Sequence, residues 1–95
     1  MSDRFIRALT ARSRRWVLDQ LRDEPAETWL SLDTLATRHP DATERARIVL
    51  YHRDLPVLAA VDLIEWDRDA ETVTRGPAFD RGVALLDRLR AEDAD

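Results

Sequence analysis

The chain contains no cysteine, which excludes a disulfide, a thiol nucleophile and a thiolate ligand for zinc. Lysine is absent too, so all 15 basic residues are arginine. No apolar run approaches the length that spans a bilayer, and the first residues lack the apolar stretch of a secretory signal; the sequence reads as cytoplasmic, with no membrane partner. Repeats and low-complexity segments are missing. So are a glycine-rich phosphate loop, a nucleophile elbow and any metal motif, and the expectation is a protein that is not an enzyme and carries no cofactor.

What remains is a charged chain of 95 residues, long enough for one modest core and small enough to gain from dimerisation. Its formal charge of −4 opposes a nucleic-acid partner, because phosphate neutralisation dominates such affinity. The net value does not settle the matter, since the distribution of charge over the surface decides it.

The segment from Ser31 to Thr74 organises the chain. Ser31 can cap a short helix over 32–39, in which Leu32, Leu35 and Ala36 share a face and Pro40 closes the segment. Thr43 can cap a longer helix over 43–61, with Glu44 in the first turn where the helix dipole favours negative charge. In it Ile48, Tyr51, Leu55, Leu58 and Ala59 predict a core face, while Arg45, Val49, Arg53 and Val57 lie elsewhere. Pro56 removes a backbone hydrogen bond inside this helix and predicts a distortion near 53–55. After Val61 the pattern changes to period two, with Ile64 and Trp66 on one face and Leu63, Glu65 and Asp67 on the other. A polar turn and Thr72-Val73-Thr74 complete a hairpin over 63–75, to which Thr28-Trp29-Leu30 can add a third strand. Asp62, in Val61-Asp62-Leu63, falls where a left-handed helix cap is needed, a conformation that aspartate tolerates.

Ahead of this segment, Phe5, Ile6, Leu9, Val17, Leu18 and Leu21 predict a helix over 3–23, with a break near Ala11–Ser13. Behind it, Gly76-Pro77 makes a turn and Phe79, Val83, Leu86 and Leu89 predict a last helix over 78–91, followed by an acidic tail. The predicted core contains Ile6, Leu9, Val17, Leu21, Leu35, Ile48, Leu55, Leu58, Ile64 and Val73. The whole reads as α+β, a winged helix-turn-helix over 1–75 with a C-terminal helix and tail over 76–95. The stripe Phe79, Val83, Leu86 and Leu89 either folds back on the first helix or pairs with its copy in a two-fold homodimer, the reading favoured here.

Ser13-Arg14-Arg15-Trp16-Val17-Leu18, Leu30-Ser31-Leu32-Asp33-Thr34-Leu35-Ala36, Leu50-Tyr51-His52-Arg53-Asp54-Leu55-Pro56-Val57-Leu58 and Ile64-Glu65-Trp66-Asp67 together resemble the small winged-helix domains of haloarchaea that carry no assigned function. The resemblance covers about residues 5–75. It implies a transcriptional regulator of the broad ArsR-like and MarR-like kind, an inference from fold. It also fits the composition, since exclusive use of arginine and 13 Asp against 6 Glu match a GC-rich, salt-adapted proteome. Such domains usually place glycine after the recognition helix, where this chain has Asp62.

Arginine's planar fork can read guanine or bind phosphate, and Arg45, Arg47 and Arg53 lie on or beside the outer side of the second helix with Val49 and His52. The alternative is pairing with Glu44, Asp41 and Asp54, close in sequence. Arg68 at the hairpin tip is a weaker candidate, because Asp67, Asp69 and Glu71 surround it. Arg14 and Arg15 read as a solvated face that can also approach a DNA backbone. His39 and His52 have no ligand spacing for a metal; His52 either bonds to a helix carbonyl or faces a phosphate. Trp16, Trp29 and Trp66 read as packing residues rather than a base-stacking platform. The sequence therefore predicts a regulator binding double-stranded DNA with residues 43–61, the alternative being a winged helix converted to protein interaction.

Overall fold

The computed structural model describes residues 3–93. The expected first helix is two, α1 (Asp3–Ala8) and α2 (Arg12–Arg22), separated at 9–11, where Ala11 is extended with φ −92° and ψ 132°. The break falls slightly earlier than predicted. Val17, Leu18 and Leu21 turn the apolar stripe of α2 wholly inward. Ile6 does not join them: α1 leaves it 37% exposed and buries Ala8 instead.

Strand β1 (Leu30–Ser31) is shorter than 28–30 and starts later. Ser31 ends it and caps α3 (Leu32–Arg38), its hydroxyl accepting the Thr34 N–H at 3.0 Å. The chain then turns through 39–43, with Ala42 at φ 47°, to α4 (Glu44–Val49). Thr43 caps α4 by accepting the Ala46 N–H at 3.1 Å. Next come a single π-helical turn (Leu50–Asp54) and α5 (Leu55–Ala60), which has Pro56 in its first turn. Proline has no N–H to offer the preceding turn, and a wider turn before it accommodates the missing bond.

That wide turn changes which residues face inward. Ala46, Leu50, Asp54, Leu55 and Leu58 are buried, and Ile48, expected in the core, is 50% exposed. Constant helical spacing counted back from Leu58 and Leu55 reaches Tyr51 and Ile48. The extra residue of the π turn shifts the inward position to Leu50, leaving Tyr51 half-buried. Helix α5 ends in a Schellman pair, with Asp62 at φ 64°, its N–H donating to the Ala59 carbonyl and the Leu63 N–H to the Leu58 carbonyl, each at 3.1 Å.

Strands β2 (Ile64–Asp67) and β3 (Thr72–Arg75) form a hairpin, and the sheet order is β1-β3-β2, antiparallel throughout. Leu30 lies opposite Val73, which lies opposite Trp66. Asp67 closes the hairpin turn by accepting the Ala70 N–H at 3.0 Å. Leu63, assigned by alternation to the polar face, is fully buried, because it precedes the strand and belongs to the helix cap. Gly76 lets the chain pass close by: a Cβ there would stand 2.4 Å from the Asp62 carbonyl oxygen.

Helix α6 (Phe79–Asp93) runs through the start of the expected tail; residues 94 and 95 lie outside the described residues. It packs back onto α2. Of the proposed dimer seam, Phe79 and Leu86 are buried in this chain's own core, and Val83 and Leu89 are half-buried against it. A seam made of all four is therefore corrected: the stripe is spent on intramolecular packing. Leu85, outside the predicted stripe, is buried as well, and Gly82 lets α6 approach Leu63. Leu9, Val17, Leu21, Leu35, Leu55, Leu58, Ile64 and Val73 are buried as expected.

Candidate functional site

The fold uses many of its arginines internally, and the candidate site emerges by subtraction. Arg14, read as a solvated residue, is buried: its Nε donates to the Ala8 carbonyl at 2.6 Å and its Nη1 meets the Asp54 carboxylate at 3.2 Å. Asp54 sits in the π turn with no exposed surface. A buried carboxylate without a cation is strongly disfavoured, so Arg14 and Asp54 need each other. Arg15 donates to the Leu9 carbonyl at 2.7 Å. Arg75, which sequence reasoning passed over, reaches from β3 to the carbonyls of Leu21, Arg22 and Glu24 at 3.2, 3.2 and 2.9 Å and lies over the Phe79 ring. It thereby supplies positive charge to the carbonyl end of α2.

Two forks join α2 to α6. Arg22 bonds both oxygens of Asp87 at 2.9 and 2.7 Å, and Arg90 both oxygens of Asp19 at 3.0 and 2.7 Å. The Arg22 hydrogen bond holds the Asp87 carboxyl below its ordinary pKa.

On the outer side of α4 and the π turn, Arg45 is exposed and makes no hydrogen bond or ion pair among the described residues. Arg53 is exposed, its Nε 3.7 Å from an Asp54 oxygen already held by Arg14. Arg47 differs: it is ion-paired to Asp33 of α3, whose hydrogen bond raises its pKa further, with Glu71 and Glu44 adding to the effect. Val49 is half-buried and His52 exposed, its ring edge-on to Tyr51 with centroids 4.8 Å apart. The predicted face thus gathers Arg45, Ile48, His52 and Arg53 as exposed residues and holds Arg47 as an occupied cation. Arg68 is exposed at the hairpin tip, with Asp67 and Asp69 exposed beside it.

Elsewhere, Trp16 and Trp66 are half-buried packing residues, but Trp29 is 49% exposed, contrary to the packing role expected for it. A groove of about 530 Å³ opens between α1 and α6, with Ile6 and Leu89 on its walls and Arg12, Arg15 and Arg90 on its rim. No group of three His, Asp or Glu side chains among the described residues is arranged to hold a metal. No helix among them is long and apolar enough to cross a membrane.

The architecture defines a small α+β class: helices on a three-stranded antiparallel sheet with a C-terminal helix. The chain belongs to the family described as a domain of unknown function (DUF7344), whose model matches residues 6–74. No curated protein and no solved structure matches it.

Proposed function

We propose that residues 3–75 form a winged helix-turn-helix, with α3 and α4 as the helix pair and β2–β3 as the wing, and that the protein is a DNA-binding transcriptional regulator. The element order of helix, strand, two helices and hairpin supports this reading. The observation that carries it is the open outer side of α4 and the π turn, where Arg45 and Arg53 remain available in a fold that ties up many of its other arginines. The resemblance to haloarchaeal winged-helix domains points the same way.

In this reading α4 enters the major groove. Arg53, in the π turn that continues α4, addresses a base edge, and Arg45, in the first turn of α4, a phosphate. Arg47, held by Asp33, contributes little. Two copies related by a two-fold axis would read an inverted repeat with half-sites about one turn apart. Their interface would use the groove between α1 and α6, where Ile6 and Leu89 remain accessible, rather than the buried Phe79 and Leu86.

Selection from a random duplex pool, followed by single variants, tests the assignment. Arg53→Ala should relax preference at one base position by about 1–3 kcal/mol, and Arg45→Ala should weaken every sequence alike. Identical profiles for both variants and wild type would defeat it. A second reading, a winged helix that binds a protein, is favoured by the carboxylates around the face: Asp33 on Arg47, and Asp67, Asp69 and Glu71 in the hairpin turn. Failure of folded protein to retain any duplex would select that reading.

A further inference from the structure

Ile48 stands on the outer side of α4, 50% exposed, one helical turn from both Arg45 and His52. It is a β-branched residue that the π turn has rotated away from the core, so packing does not account for it. Beside it lies a shallow hollow of about 210 Å³, to which Leu32 and Tyr51 add apolar wall. Glu44 and Glu71 border the same hollow, together with His52 and with Arg47, whose charge is held by Asp33. Two carboxylates repel phosphate and Arg47 is already taken by Asp33, so this part of the face is unsuited to the DNA backbone, whereas Arg45, unpaired among the described residues in the first turn of α4, is suited to it. The nucleic-acid group that matches an apolar projection in the major groove is the C5 methyl of thymine, which no other base carries.

Resting on the DNA-binding reading above, we infer that Ile48 is a specificity-determining residue that packs against a thymine methyl and gives each half-site one required thymine. The contact matters more here than on a strongly basic domain. With Arg47 neutralised by Asp33, the face releases few counterions, and discrimination has to come from contacts with base edges.

The test uses the full chain and a duplex selected with wild-type protein, in which each thymine is replaced in turn by deoxyuridine. That change removes one methyl and keeps every hydrogen-bonding group. Loss of affinity of about three- to fivefold at one position per half-site is expected, the amount one buried methyl accounts for. Ile48→Ala should bind the thymine duplex about that much more weakly and be indifferent to deoxyuridine at that position. Because the first arm uses wild-type protein, it does not depend on how the variant folds. Equal binding of thymine and deoxyuridine duplexes at every position would overturn the inference and leave DNA binding standing. Capture of no duplex at all would overturn the DNA reading and this one with it.

Discussion

Arg14 and Asp54 form an ion pair buried between α2 and the π turn. Their sequence separation is 40, and the side chains meet only because α2 packs against the π turn. Nothing local in Ser13-Arg14-Arg15 distinguishes Arg14 from an ordinary solvated arginine, which is why the pair was invisible in the sequence. Asp54→Ala should cost about 3–5 kcal/mol in urea unfolding, since it strands a buried guanidinium. Replacing both residues with apolar ones of similar volume should cost much less. A loss below about 1 kcal/mol for Asp54→Ala would mean that the pair does not hold the π turn. At Asp62 the reasoning from sequence carried through: the left-handed cap is there, at φ 64°. Asp62→Gly should therefore raise stability by up to about 1 kcal/mol, and unchanged or lower stability would show that the aspartate is not strained.

Among elements, those defined by local chemistry were legible and those defined by phase were not. Ser31 and Thr43 announced two helix starts because a cap acts within three residues. Pro56 announced a distortion, but its form, a π turn over Leu50–Asp54, moved Ile48 out of the core and Leu50 in. A periodicity that assumes constant spacing cannot register that slip. The same limit hid Leu63, whose burial depends on Gly82 of α6. A Cβ at Gly82 would come within 2.2 Å of a Leu63 methyl that is fully buried. Gly82→Ala should lower stability by about 1–2 kcal/mol, the overpacking cost exceeding alanine's helix preference. In a Leu63→Ala background it should become neutral or stabilising; an equal cost in both would place the clash elsewhere. The fork between Arg22 and Asp87 adds a pH dependence. Because folding lowers the Asp87 pKa, its contribution is complete above the ordinary carboxylate value and is lost as pH falls through the folded one. Hydrogen-exchange protection factors in α6, corrected for the intrinsic pH dependence of exchange, should accordingly fall in acid, and Asp87→Asn should flatten that dependence. Parallel profiles for variant and wild type would exclude the fork as its source.

At the scale of the molecule, composition alone concealed how charge is distributed. The formal charge is −4, yet carboxylates are paired with Arg14, Arg22, Arg38, Arg47 and Arg90 across the fold. Arg45 and Arg53 stay on the outer side of α4 and the π turn, as the sequence predicted, but Ile48 joins them and Arg47 is withdrawn by an acid on another helix. The dimer seam was misread for a related reason: an apolar stripe reports that something covers it, not which chain does. Equilibrium binding of a pool-selected duplex to wild type and to the Arg45→Ala/Arg53→Ala variant, across a salt series in which both stay folded, tests the central claim most directly. The account predicts that wild type binds with a shallow salt slope, about −1 in log–log terms per protomer for the one phosphate that Arg45 neutralises, and that the variant loses both affinity and slope. Folded wild type that holds no duplex at any salt, or a double variant that binds like wild type, would contradict it.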